Sequence, residues 1–188
     1  MKNIYLMRHG ETLFNVQKRT QGWSDSPLTE NGIVQALKAR QFMANAHFDF
    51  DVFYCSTSER TADTLELVFP EQDYQRIKGL KEMNFGSFEG YPASLEVYDK
   101  SVFYKDFGGE TREELVERFK STLLTISANP EYQEIFCVTH GAASWFFLED
   151  VVRPEKIPEG GFQNLDVMHL TYNEIDQNFS LIELFKTV

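Results

Sequence analysis

The sequence predicts an α/β fold, a three-layer α/β/α sandwich built on a mostly parallel central sheet, and three observations lead there. Short apolar runs at residues 4–7, 52–55 and 135–139 read as strands, and each is followed by a stretch of helical spacing. Those strands end in residues with chemistry to offer: Arg8-His9-Gly10, Ser56 with Arg60 close behind, and His140-Gly141. The 188 residues, 42% hydrophobic and 25% charged, match an ordinary globular domain with a sizeable core.

Taken in order, the first strand passes at Arg8 into a polar loop that reaches Pro27-Leu28-Thr29. Thr29 is an N-cap for a helix to about Ala46, with Ile33, Ala36, Leu37, Phe42 and Met43 at helical spacing. After the second strand, a helix over 58–69 carries Ala62, Leu65 and Val68 on one face and stops at Pro70. A short strand near 75–78 follows. From Gly79 to Gly109 periodicity weakens and aromatics dominate: Phe85, Phe88, Tyr91, Tyr98, Phe103, Tyr104 and Phe107. We read about 80–108 as a small lid or insertion within one domain spanning 1–188. Thr111 and Glu114 have capping-box spacing ahead of Leu115, Val116, Phe119, Leu123 and Ile126, which predicts a helix. The strand at 135–139 leads to a helix over about 142–151, and strand-like runs at 165–172 and 179–185 close the chain. The alternation implies a largely parallel sheet with room for one antiparallel strand.

Acidic residues outnumber basic ones 29 to 18, a formal charge of -11, so the long-range field repels polyanions and anionic membrane surfaces. Nucleic acid and membrane are therefore not expected partners, and no window approaches the roughly 18 apolar residues of a membrane span. The N-terminal residues lack the apolar region of a signal peptide, so the expected location is the cytoplasm. Cys55 and Cys137 lie in apolar runs without a CxxC pair, as buried reduced thiols do.

Any phosphate site in so acidic a chain must be built from local positive charge. Parallel strands place their carboxyl ends on one rim, where ligands of open α/β sheets bind, and two histidines and two arginines would converge there. Arg60 opens a helix whose macrodipole opposes a cation, at a cost of roughly 0.3 to 1 kcal/mol. Either a bound anion or a carboxylate such as Glu59 removes that cost. His47 and His169 read as a surface residue and a strand residue. No metal is expected, because His9 and His140 lack ligand spacing and the arginines would repel a cation.

Met7-Arg8-His9-Gly10-Glu11-Thr12-Leu13-Phe14-Asn15 resembles the signature of the histidine phosphatase superfamily, in its phosphoglycerate mutase-like branch. Further blocks follow in family order. These are residues 19–29 (Arg19 to Thr29), 55–64 around Arg60, 80–90 around Glu82, Gly108-Gly109-Glu110-Thr111, and Val138-Thr139-His140-Gly141.

The resemblance implies that His9 attacks phosphorus and becomes a phosphohistidine, while Arg8, Arg60 and His140 grip the phosphoryl oxygens with Asn15 as a further donor. It implies Glu82 as the general acid, with Gln21 and Gly22 as substrate-binding residues and no cofactor. Should Glu82 not serve, Glu11 and Glu89 are the other carboxylates to consider. The expected activity is hydrolysis of small phosphomonoesters. Phosphoglycerate mutases resembling this chain are longer and carry adjacent arginines after the acid; here no Arg-Arg pair occurs, and only Lys100 and Lys105 are basic between Glu82 and Gly109. Mutase activity is the alternative reading. A silent phosphate-sensing or protein-binding module is a third, which loss of His9, Arg60 or Glu82 would have signalled. The aromatics of the insertion either meet an apolar part of the substrate or pack the lid.

Overall fold

The computed structural model describes residues 1–95, 102–153, 155 and 159–188; Tyr98 and Lys100 lie outside the described residues. Six strands form one sheet: β1 (Lys2–Arg8), β2 (Val52–Ser56), β3 (Tyr74–Ile77), β4 (Glu134–Thr139), β5 (Val167–Asn173) and β6 (Asn178–Phe185). Their order is β3-β2-β4-β1-β5-β6. β1 to β4 pair in parallel, and β5 is antiparallel to both β1 and β6, so β5 alone runs against the rest.

The helices are α1 (Leu13–Val16), α2 (Glu30–Ala46), α3 (Glu59–Val68), α4 (Arg112–Ser127) and α5 (Gly141–Phe147). The sandwich follows from period-two alternation in the central strands. Ile4 and Leu6 of β1, with Ile135 and Cys137 of β4, join Leu115, Phe119, Leu123 and Phe147 in the core under α4 and α5. Tyr5, Met7, Phe136 and Val138 face the other way, against Ala36, Ala39 and Met43 of α2 and Leu65 and Val68 of α3. Each large side chain buried in this way contributes roughly 1.5 to 3 kcal/mol. Cys55 and Cys137 are free, fully buried and on opposite faces. Burial pushes the Cys55 thiol up to about 12 and that of Cys137 upward too, which makes both poor nucleophiles.

The expected elements are present, with two differences. A four-residue helix, α1, stands in the first loop, held by a capping box between Thr12 and Asn15. The helix after His140 passes at Leu148–Val152 into a π turn instead of continuing as α-helix. The described aromatics of the insertion pack on one another: Phe88 meets Phe103, Tyr104 and Phe107 edge to face, and Phe85 and Tyr104 are buried in the main core. Of the two readings left open by the sequence, these residues take the packing one. Among the described residues no helix is long and apolar enough to cross a membrane.

Arg8 sits opposite Thr139 in the β1–β4 register, and Cys55 opposite Val138 in the β2–β4 register. His9, Ser56 and His140 therefore leave the sheet at one level, on one rim. The rim is fixed on its other side by Gly32 of α2, whose position leaves only 2.1 Å between an added Cβ and the Glu11 carbonyl oxygen. In an ordinary helix interior Gly→Ala stabilises by roughly 0.5 to 1 kcal/mol. Here Gly32→Ala should instead lower the denaturation midpoint, measured in urea by circular dichroism; a raised midpoint would contradict this docking of α2 on the loop after His9.

Candidate active site

His9 follows the last residue of β1 and is 4% exposed. Two bonds fix its backbone, His9 N–H to Thr139 O at 3.1 Å and Asn164 Nδ2 to His9 O at 2.7 Å, and the next residue is held by Gly10 N–H to Thr64 Oγ1 at 3.0 Å. In the ring, Nδ1 lies 2.8 Å from Gly10 O. A carbonyl only accepts, so Nδ1 carries the proton and Nε2 keeps its lone pair. Burial, then the charges of Arg60 and Arg8, holds His9 well below the usual imidazole range. It is a neutral base.

His140 is the N-cap residue of α5, fully buried, its ring centroid 5.3 Å from that of His9. Arg60 Nη2 stands 3.0 Å from its Nδ1 and Ser56 Oγ 2.8 Å from its Nε2. A guanidinium only donates, so Nδ1 accepts and Nε2 donates to Ser56. Burial first, then Arg60 and His9, keeps this ring neutral too.

Arg60 lies in the first turn of α3 with no exposed surface. The helix-dipole cost noted from sequence is met by Asp25: its Oδ1 is 2.9 Å from Arg60 Nη1, and its Oδ2 accepts the Glu59 N–H at 2.5 Å. Asp25 thereby caps α3, whose own N-cap Ser58 makes no side-chain cap bond. Glu59 itself pairs with Arg76. Arg60 also donates to Ser24 O and Gly22 O, so with Asp25 and His140 both Nη groups are engaged. Its Nε is buried without a partner among the described residues, and so is the Nε of Arg8, whose Nη1 donates to Phe162 O at 2.6 Å. A buried donor left in that state costs roughly 1 to 3 kcal/mol, which an anion between the two arginines would relieve.

Glu82, 6% exposed, turns its carboxyl onto the start of α5. Oε1 accepts from Met83 N and Ala143 N, and Oε2 from Ala142 N, at 2.7 to 2.9 Å. The other expected residues are placed differently from one another. Asn15 uses Oδ1 to accept the Thr12 N–H at 3.1 Å, closing the cap of α1. Gln21 accepts at Oε1 from Thr12 and Ser26, and its Nε2 is buried without a partner among the described residues. The backbone of Gly22 is engaged: its N–H goes to Glu89, its carbonyl to Arg60, and an added Cβ would lie 2.0 Å from Met83 O. It is part of the frame around Arg60.

Glu89, considered as an alternative acid, accepts five bonds, from the N–H groups of Gly22, Trp23, Ser24 and Phe85 and from Ser24 Oγ. It holds the loop that carries the Arg60 acceptors. Glu11 accepts from Thr29 Oγ1. Sequence reasoning missed the parts played by Asp25, Thr64 and Glu89, although all three stand inside the motif blocks; Asn164 carries no local signal at all. Among the described residues no group of three or more His, Cys, Asp or Glu side chains is gathered as a metal site would need.

The family model of the histidine phosphatase superfamily (branch 1) matches residues 4–184. The 2,3-bisphosphoglycerate-dependent phosphoglycerate mutase of Bacteroides fragilis is 38% identical over 95 residues, a match covering 48% of this chain and 38% of that protein. Among solved structures, the phosphoglycerate mutase of Bacillus anthracis is similar with a TM-score of 0.83 at 23% identity, over 97% of this chain and 92% of that one. The phosphoserine phosphatase of Entamoeba histolytica, in complex with 3-phosphoglyceric acid, gives 0.78 at 25% identity over 99% and 98%. The alpha-ribazole phosphatase of Shigella flexneri gives 0.79 at 24% over 99% and 97%. With its motifs in order along the chain and its fold shared from end to end, the protein belongs to the histidine phosphatase superfamily, branch 1.

Proposed function

We propose that the protein hydrolyses small phosphomonoesters through a phosphohistidine at His9. The observation that carries this reading is the His9 ring: neutral, its proton directed to Gly10 O, and its Nε2 lone pair left for phosphorus beside two arginines with unpartnered Nε groups. In the first step Nε2 forms the P–N bond as the ester P–O bond breaks, Glu82 gives its proton to the leaving oxygen, and the Nδ1 proton stays on Nδ1, donated to Gly10 O. Arg8 and Arg60 offset charge on the phosphoryl oxygens, with His140 beside them and the amide nitrogens of Asn15 and Gln21 as further donors. In the second step the Glu82 carboxylate takes a proton from water, which attacks phosphorus; the P–N bond breaks, and His9 is again neutral. The positive charge for the reaction comes from arginine, and the reading includes no metal or cofactor.

The competing reading is phosphoglycerate mutase chemistry, favoured by the identity to the Bacteroides fragilis enzyme. Hydrolysis is preferred because the stretch after the acid lacks paired arginines to hold a substrate carboxylate. Lys105, one of its two basic residues, is paired with Glu114.

Phosphate release should be measured over a panel of alkyl phosphates that includes 3-phosphoglycerate and phosphoserine, with His9→Ala as control. We expect release from several members, none with His9→Ala, and little 2-phosphoglycerate from 3-phosphoglycerate. Efficient isomerisation would move the protein to the mutases, and undiminished release by His9→Ala would end the phosphohistidine reading. The pH profile tests the nucleophile separately. A histidine titrating near 6.5 would reduce the reactive fraction about tenfold at pH 5.5. Because His9 is held well below that range, kcat/KM should keep its value on acidification to pH 5.5 more fully than such a group allows; a tenfold fall centred near 6.5 would contradict the burial of the ring.

A further inference from the structure

Arg118, near the middle of α4, uses all five of its N–H groups in one neighbourhood. Nε and Nη2 hold Glu110 in a bidentate pair at 2.8 and 2.9 Å. The other Nη2 proton goes to Glu82 O at 3.2 Å, and Nη1 donates to Gly79 O at 2.7 Å and Lys81 O at 3.0 Å. Glu110 extends the clamp, since its Oε2 also accepts the Asn84 N–H and its own N–H donates to Asn84 O. Both charged side chains are largely buried, 20% and 15% exposed. Residues 81–85, between two 3-10 turns, belong to no strand or helix and so have no ladder to satisfy their backbone. Arg118 and Glu110 supply those partners on both sides of Glu82, in sequence before and after it, and Trp23 Nε1 adds a second donor to Glu82 O.

The site already described makes no use of this pair. A lysine could not reproduce it, because three donors on one nitrogen cannot reach a carboxylate and three separate carbonyls in a planar fork. Glu82 depends on it for orientation: its carboxyl must meet three N–H groups, two of them at the start of α5, while its backbone rests on α4. We propose that Arg118, paired with Glu110, is a positioning residue for the Glu82 carboxyl. It acts on the proton-transfer steps and leaves the grip on phosphate unchanged. The inference rests on the reading of Glu82 as the acid.

The test compares wild type, Glu82→Gln, Arg118→Lys and the double variant on an alkyl phosphate and on p-nitrophenyl phosphate, with melting curves to show that each is folded at the assay temperature. An aryl leaving group needs little protonation, so a fault in the acid should appear mainly with the alkyl ester. We expect Arg118→Lys to lower kcat on the alkyl phosphate by roughly tenfold to a hundredfold, as a misplaced group does, with a much smaller loss on the aryl ester and KM little changed. In the Glu82→Gln background the same substitution should add almost nothing, since both changes disable one unit. Equal losses on both esters from Arg118→Lys, or a full additional loss in the double variant, would overturn the inference while Glu82→Gln alone still discriminates between the esters. If Glu82→Gln itself fails to discriminate, the acid assignment falls, and this inference with it. Should Arg118→Lys melt below the assay temperature, Glu110→Gln takes its place in the same comparison, because it keeps the side-chain shape and the Arg118 bonds to the carbonyls.

Discussion

Arg60 has no surface in water, and breaking the pairing of such a charge costs several kcal/mol, on the order of 3 to 5. Much of the rim is arranged around meeting that requirement. Asp25 supplies the countercharge and, with its second oxygen, caps the helix on which Arg60 rides. The carbonyls of Gly22 and Ser24 take two more protons, and they are where they are because Glu89 gathers the N–H groups of residues 22 to 24 onto one carboxylate. His140 accepts the fourth at Nδ1, which sets its tautomer, so that its Nε2–H donates to Ser56 Oγ. Burial first, and this charge second, keeps protons off His9 and His140. One cation thus holds the geometry of a loop, the start of a helix and the tautomer of His140.

Three carboxylates serve this arrangement in three ways. Asp25 balances charge, Glu89 is bound by five donors as a strut, and Glu82 accepts the first N–H groups of α5 from Ala142 and Ala143. Carboxylates of this kind cannot be told apart by type; the difference lies in what surrounds them. The net charge of -11 makes the same point on a larger scale, since the positive field of the rim is local and owes nothing to the chain as a whole.

The strands and long helices were legible because burial leaves a period in the sequence: two along β1 and β4, where alternate residues enter different cores, and near 3.6 along α4. α1 was not, because four residues carry no period and its signal is a single capping box, Thr12 to Asn15. The π turn after α5 left no mark either. His9, Arg8, Arg60 and His140 could be found at strand ends and in motif blocks, and the dipole argument at Arg60 asked the right question, whose answer, Asp25, stands 35 residues away. Asn164 reaches the His9 carbonyl across 155 positions, and Arg118 reaches the Glu82 backbone across 36. Such partners are made by the fold, and no local pattern announces them.

The central claim is that the neutral His9 ring, with its proton fixed on Nδ1, presents Nε2 to phosphorus. The most direct measurement traps the enzyme during turnover of a phosphomonoester at alkaline quench and locates the phosphoryl group on the ring by phosphorus and nitrogen NMR of the ¹⁵N-histidine-labelled protein. The account predicts phosphorus bonded to Nε2 of His9. Phosphorus on Nδ1, on another residue, or on no residue while turnover proceeds would contradict it.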